Sequence, residues 1–192
     1  MQMNKFHQEL KNQTMPLHDR LEALELPKKL VDETISKDEY ITYLLKLYAL
    51  HYKIESQLQA FEWSKFNIEI ASYLRLELIE KDLQHLGATP PKEIDNGIEI
   101  ASFDEAIGHL YVLTGSTMGG VILSQKVQKL FHGANLYFSG FGDETHGRWM
   151  QFLASLTRYT QENGRSNQEA IIKGAINCYR LVEKELDAQS KI

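Results

Sequence analysis

Lys11, His18 and Glu22 stand seven and four residues apart, a spacing that places all three on one face of a helix. A carboxylate one turn from a histidine can accept the imidazole Nδ1–H, fix the tautomer and leave Nε2 free to ligate a metal. A lysine two turns away can pair with an anionic group on the same ligand. The spacing alone equally allows a solvated i,i+4 pair on an exposed face. A second pattern is Gly115-Ser116-Thr117-Met118-Gly119-Gly120, set where Phe103, Ala106, Ile107, Leu110, Leu113, Met118, Val121, Ile122, Val127 and Leu130 fall at helical spacing. With Gly108, four glycines in one helix forfeit on the order of 4 kcal/mol relative to alanine. Gly108, Gly115 and Gly119 share a face, so a neighbour must come close enough there to require missing side chains. The spacing alone leaves open what lies against that face.

Helix signals dominate the elements that must position these residues. Ser36 with Glu39, Ser102 with Glu105 and Ser166 with Glu169 have the form of capping boxes ahead of apolar periodic segments. Gly87 with Pro90-Pro91, Gly133 and Gly164 mark stops. The pattern predicts helices over roughly 4–25, 37–61, 68–86, 102–131, 143–161 and 167–189, an antiparallel all-α bundle in a single domain spanning 1–192. Pro16 conflicts with the first helix, because it removes an intrahelical bond. Either a kink sits there, the preferred reading, or the packed helix starts at Thr14.

Composition narrows the functional classes. The chain has 192 residues, 43% of them hydrophobic, enough for one real core. Net charge is −5 with no basic stripe, which argues against a nucleic-acid partner. The apolar runs fall short of a membrane span, and the polar start (Asn4, Lys5, His7, Gln8, Glu9) is unlike a signal peptide. The single cysteine, Cys178, precludes an internal disulfide and fits a reducing cytoplasm. No glycine-rich loop follows a strand, so flavin or nicotinamide binding is unsupported.

Together the two patterns resemble the heme oxygenase family, in its bacterial, biliverdin-producing members. The resemblance is carried by Lys11 with Thr14-Met15-Pro16-Leu17-His18-Asp19-Arg20-Leu21-Glu22, and by Leu110-Tyr111-Val112-Leu113-Thr114-Gly115-Ser116-Thr117-Met118-Gly119-Gly120. A weaker echo is Glu80-Lys81-Asp82-Leu83-Gln84-His85-Leu86-Gly87. It implies a multi-helix bundle with heme in a slot between the first helix and a glycine-kinked distal helix. His18 would be the axial ligand, with Glu22 near its outer nitrogen and Lys11 at one heme propionate. Gly115, Ser116, Gly119 and Gly120 would form the distal wall, and Arg148 or Arg158 would hold the second propionate. The implied activity is oxidative cleavage of heme at a meso carbon to biliverdin, carbon monoxide and ferrous iron. It would use dioxygen and electrons from an external reductase or ferredoxin. Animal members carry an aspartate directly after the first distal glycine, where this chain has Ser116, so the group that organises distal water is unassigned. The alternatives are a heme carrier or sensor, or a structural bundle with a close-packed glycine face.

Other candidates are weaker. Asp82-x-x-His85 and Asp143-x-x-His146 faintly resemble di-iron ligand pairs, but no matching inward glutamates accompany them. His51, His85, His109 and His146 read as core or surface residues, and Cys178 as a buried thiol.

Overall fold

The capping box at Ser36 forms as the sequence predicts. Ser36 Oγ accepts the Glu39 N–H at 3.3 Å, and the Glu39 carboxylate accepts the Ser36 N–H at 2.8 Å. In the computed structural model, which describes residues 5–95 and 97–187, this box opens the third of six α-helices. They are α1 (Lys5–Glu22), α2 (Glu25–Val31), α3 (Lys37–Leu58), α4 (Leu76–His85), α5 (Phe103–Phe131) and α6 (Thr145–Asp187). Short 3₁₀ turns at Trp63–Phe66, Ile70–Tyr73 and Gly142–Glu144 complete the regular structure. No strand occurs among the described residues, in keeping with the all-α expectation. Residue 4 and residues 188–189, included in the expected terminal helices, lie outside the described residues.

The departures from expectation have local causes. Ser102 Oγ accepts the Glu105 N–H at 3.2 Å, but the Glu105 carboxylate turns to Lys173 at 2.6 Å, so only half of that box forms. Ser166 closes no capping box, because Glu169 pairs with Arg165 at 3.1 Å, but α6 is two helical limbs joined across a kink, in keeping with the expected stop at Gly164. The single break in it is Gly164, at φ 81°, ψ −168°, a conformation glycine adopts at least cost. The expected helix over 68–86 is confined to α4, its first part being the two 3₁₀ turns. The expected first helix stops at Glu22, and α2 follows as a separate piece. Pro16 sits within an unbroken α1, and Thr14 is no cap. Its hydroxyl donates to the Leu10 carbonyl at 2.9 Å, one turn back inside the helix.

Helix α5 packs most extensively on α6, and α1 also packs chiefly on α6, whereas α1 and α5 scarcely meet. The α5–α6 crossing explains Gly108. A Cβ there would stand 2.2 Å from the Ile171 carbonyl oxygen and 2.5 Å from Ala175 N. Gly174 answers from the other side, 2.2 Å from the Glu105 carbonyl oxygen. The two backbones touch where both side chains are missing. Gly108 therefore belongs to helix packing and leaves the ligand face to the later glycines.

Helix α1 is tied to the C-terminal limb of α6 at both ends. Arg165 forks onto Glu9 at 2.7 and 2.8 Å, and Arg20 forks onto Glu183 at 2.8 and 3.1 Å. Helix α5 is long and apolar enough to cross a membrane by length and composition, contrary to the reading of short runs; 61% of its most apolar window is buried in the core.

Candidate functional site

With α1 and α5 both leaning on α6 but scarcely on each other, a gap remains between them. It is a largely apolar cleft of about 990 Å³. Its α1 wall presents His7, Lys11, Thr14, His18 and Glu22, residues recurring at intervals of three or four. Its α5 wall presents Gly115, Ser116, Gly119 and Gly120. Trp149, Leu153 and Thr157 of α6 form the floor, and Pro27 and Val31 of α2 border one end.

His18 is half-exposed on its wall, 48% at the side chain, with its ring edge-on to Tyr179 at 6.4 Å. Asp19 Oδ1 is 3.8 Å from Nδ1 and Glu22 Oε1 is 3.7 Å from Nε2, both too far for a hydrogen bond. Glu22 thus lies nearer Nε2 than the outer nitrogen that the family resemblance assigns to it. Lys11, one face away from bulk structure, is exposed on the same wall. His7 completes the stripe, buried edge-on against Tyr111 and Trp149 at 5.9 and 6.0 Å. Burial, with help from the Lys11 cation, holds its imidazole below the ordinary value.

The glycines of the opposite wall divide the work. A Cβ on Gly119 would meet no heavy atom within 4 Å, so the missing side chain leaves free height in the cleft. A Cβ on Gly115 would make ordinary contact with Trp149 at 3.6 Å. Gly120 is a packing glycine: its Cβ would stand 2.8 Å from the Phe138 carbonyl oxygen. It borders the cleft as expected, and its missing side chain serves a close approach of the segment after α5.

Behind Ser116 lies a buried polar network that no sequence pattern announces. Arg75, only 2% exposed, donates from Nη2 to Ser116 Oγ at 2.9 Å and to the Leu113 carbonyl at 2.7 Å, and its guanidinium lies 4.6 Å over the Tyr137 ring. Glu55 accepts the backbone N–H groups of Arg75 at 2.9 Å and Leu76 at 3.2 Å, capping α4 from another helix. His51 bridges the two halves, with Nδ1 2.6 Å from Glu55 Oε1 and Nε2 3.0 Å from the Tyr137 hydroxyl. Burial holds His51 below its ordinary value, which keeps it neutral. A neutral ring donates Nδ1–H to Glu55 and accepts the Tyr137 proton at Nε2. Burial works to raise Glu55, but the His51 and backbone donors outweigh it and hold the carboxyl below the usual range.

Neither arginine expected at the second propionate reaches the cleft lining. Arg148 donates to Glu144 at 2.9 Å and to the Ser72 carbonyl, and lies 4.8 Å over the Phe141 ring. Arg158 is exposed, 3.5 Å from the Lys65 carbonyl. The cause is helical phase. Trp149, Leu153 and Thr157 face the cleft, and the arginines stand one residue, about 100°, from that stripe. Asp82 accepts the N–H groups of Leu136 and Tyr137, both at 2.9 Å, and so serves as a clamp on the segment after α5. Among the described residues no group of three or more His, Cys, Asp or Glu side chains is placed to hold a metal ion. Cys178 is fully buried, its thiol pushed up by desolvation.

Comparison with known proteins supplies the context for this cleft. No curated protein sequence is detectably similar to the chain. Solved structures are. The NO- and CO-bound heme oxygenase of Neisseria meningitidis superposes with a TM-score of 0.75 at 21% identity, over 97% of this chain and 94% of that one. Heme oxygenase-1 of the cyanobacterium Synechocystis, in complex with heme, gives 0.76 at 16% identity over 96% and 91%. The enzyme of Leptospira interrogans gives 0.76 at 18% identity over 95% and 98%. These likenesses show a shared fold. The family model described as heme oxygenase matches residues 4–186, nearly the whole chain, and the chain belongs to the heme oxygenase family.

Proposed function

We propose that this protein binds heme in the α1–α5 cleft and cleaves it at a meso carbon to biliverdin, carbon monoxide and ferrous iron. Dioxygen is the oxidant, and electrons come from a separate reductase or ferredoxin. The observation that carries the reading is the pairing of opposed walls. A half-exposed imidazole on α1 and a helix stripped of side chains on α5 line one apolar slot. Heme, when bound, supplies both the redox-active iron and the carbon framework that is oxidised.

The residues fit that substrate. The apolar lining of Met15, Leu21, Val112 and Leu153 suits a flat macrocycle, and Lys11 offers an ammonium to one propionate. His18 holds the iron through an imidazole that no strong hydrogen bond ties down. Gly119 leaves the far side low, and Ser116 stands beside it with its hydroxyl oriented by Arg75. No side chain has to act as nucleophile; positioning and control of distal water and protons suffice.

Hemin titration tests the reading. Wild type is expected to give a Soret band, and reductant in air is expected to convert the complex to a green verdin product. His18→Ala should lose the Soret position of the histidine-ligated complex and regain it with added imidazole. A stable Soret band that never yields verdin would reduce the protein to a heme carrier. No spectral change with hemin would leave only a structural bundle.

A further inference from the structure

Arg75 is a buried cation with no carboxylate in ion-pair contact among the described residues. The nearest carboxylate on its own network, Glu55, is spent on the backbone N–H groups of Arg75 and Leu76 and on His51. The guanidinium bonds only neutral acceptors: the Leu113 carbonyl, the Tyr137 carbonyl at 3.4 Å and Ser116 Oγ. Its Nε–H has no partner at all. An uncompensated buried charge is costly, and a mere tether between α4 and α5 would be served as well by a neutral donor. The side chain nevertheless borders the cleft, and the hydroxyl it holds lies on the cleft wall next to Gly115.

We infer that Arg75 is the positioning residue of the distal wall: acting through Ser116, it sets a fixed positive potential that selects anionic over neutral ligands on that side of the heme. The inference rests on heme occupying this cleft, as proposed above. Arg75 is 2% exposed, so its fixed charge is screened less than that of a surface cation. It also supplies what Ser116 lacks compared with an acid at that position. Ser116 Oγ donates to the Leu113 carbonyl at 2.8 Å and accepts from Arg75, so the hydroxyl is held as an acceptor for distal water, and the charge opposes loss of any anion formed there.

The test uses the ferric hemin complexes of wild type, Arg75→Met, Arg75→Lys and Ser116→Ala, titrated with azide and with imidazole and read at the Soret band. Arg75→Met is expected to weaken azide by roughly tenfold or more while imidazole changes less than about threefold. Arg75→Lys, which keeps the charge but not the fork, should recover a large part of the azide affinity. Equal weakening of azide and imidazole, or no change in either, overturns the inference. If Arg75→Met fails to fold, Ser116→Ala decides. Its side chain is exposed on the cleft wall, and a loss confined to azide supports the relay, whereas unchanged azide binding overturns it. Absence of any Soret band in wild type would remove the proposed function along with this inference. A normal band without azide discrimination removes this inference alone.

Discussion

Gly119 and Gly108 carry the same residue type in the same helix and make opposite predictions. Gly119 has helical backbone and open space where a Cβ would go. Gly119→Ala should therefore stabilise the ligand-free protein by roughly 0.5–1 kcal/mol in urea unfolding. The same methyl group intrudes on the distal side of the slot, so hemin and its sixth ligands should bind more weakly in spectral titration. The buried His51–Glu55 pair predicts a pH dependence. His51 lies below its ordinary value of 6.5 in the folded state, so as pH falls below 6.5 the unfolded chain takes up a proton that the folded chain refuses. Glu55, held below 4.5, adds stability that is complete above 4.5 and is lost as pH falls through its lowered value. Both effects have the same sign. Wild type should lose thermal stability from pH 6.5 downward, and His51→Asn should show a shallower slope between pH 6.5 and 5. At this scale the sequence exposed the α1 stripe, because three side chains on one helix share a period. It hid Arg75, whose partners Leu113, Ser116 and Tyr137 lie 38, 41 and 62 residues away.

Elements were legible where their ends are local chemistry. Ser36 and Glu39 form their box because both partners lie within one turn. Gly164 breaks α6 where the sequence placed a stop, but the box at Ser166 does not form because Arg165 takes Glu169. The 68–86 periodicity was shortened because Tyr73 and Arg75 turn inward to α6 and α5, which breaks the helical phase before Leu76. The register of α6 against the cleft was equally invisible, and it moved Arg148 and Arg158 out of the site. The α5–α6 crossing makes its own prediction. Gly108→Ala or Gly174→Ala places a methyl group at 2.2 Å from a carbonyl oxygen that cannot step aside. Either change should destabilise the protein by about 2–3 kcal/mol or more in chemical unfolding, with the helices forced apart. A loss below about 0.5 kcal/mol would mean that the crossing is looser than its geometry implies.

For the whole molecule, α6 is the common support of both cleft walls. Its contact with α5 includes backbone against backbone, whereas α1 is attached by side chains, among them buried Phe6 and Leu10 and the Glu9–Arg165 and Glu183–Arg20 ion pairs near its two ends. Glu9→Gln combined with Glu183→Gln should speed hydrogen exchange in α1 and leave α5 amides unchanged. Hemin affinity should fall while the overall unfolding midpoint moves little, because the α5–α6 core is untouched.

The two walls of the cleft thus differ in stiffness. The glycine-stripped helix is the fixed jaw of a vise, clamped to its bed by two carbonyl contacts that no side chain cushions. The histidine-bearing helix is the softer jaw, held by side-chain packing and ion pairs with no backbone-to-backbone clamp of that kind. A plate pressed between them would shift the histidine's side first, and the height over the glycines would change least.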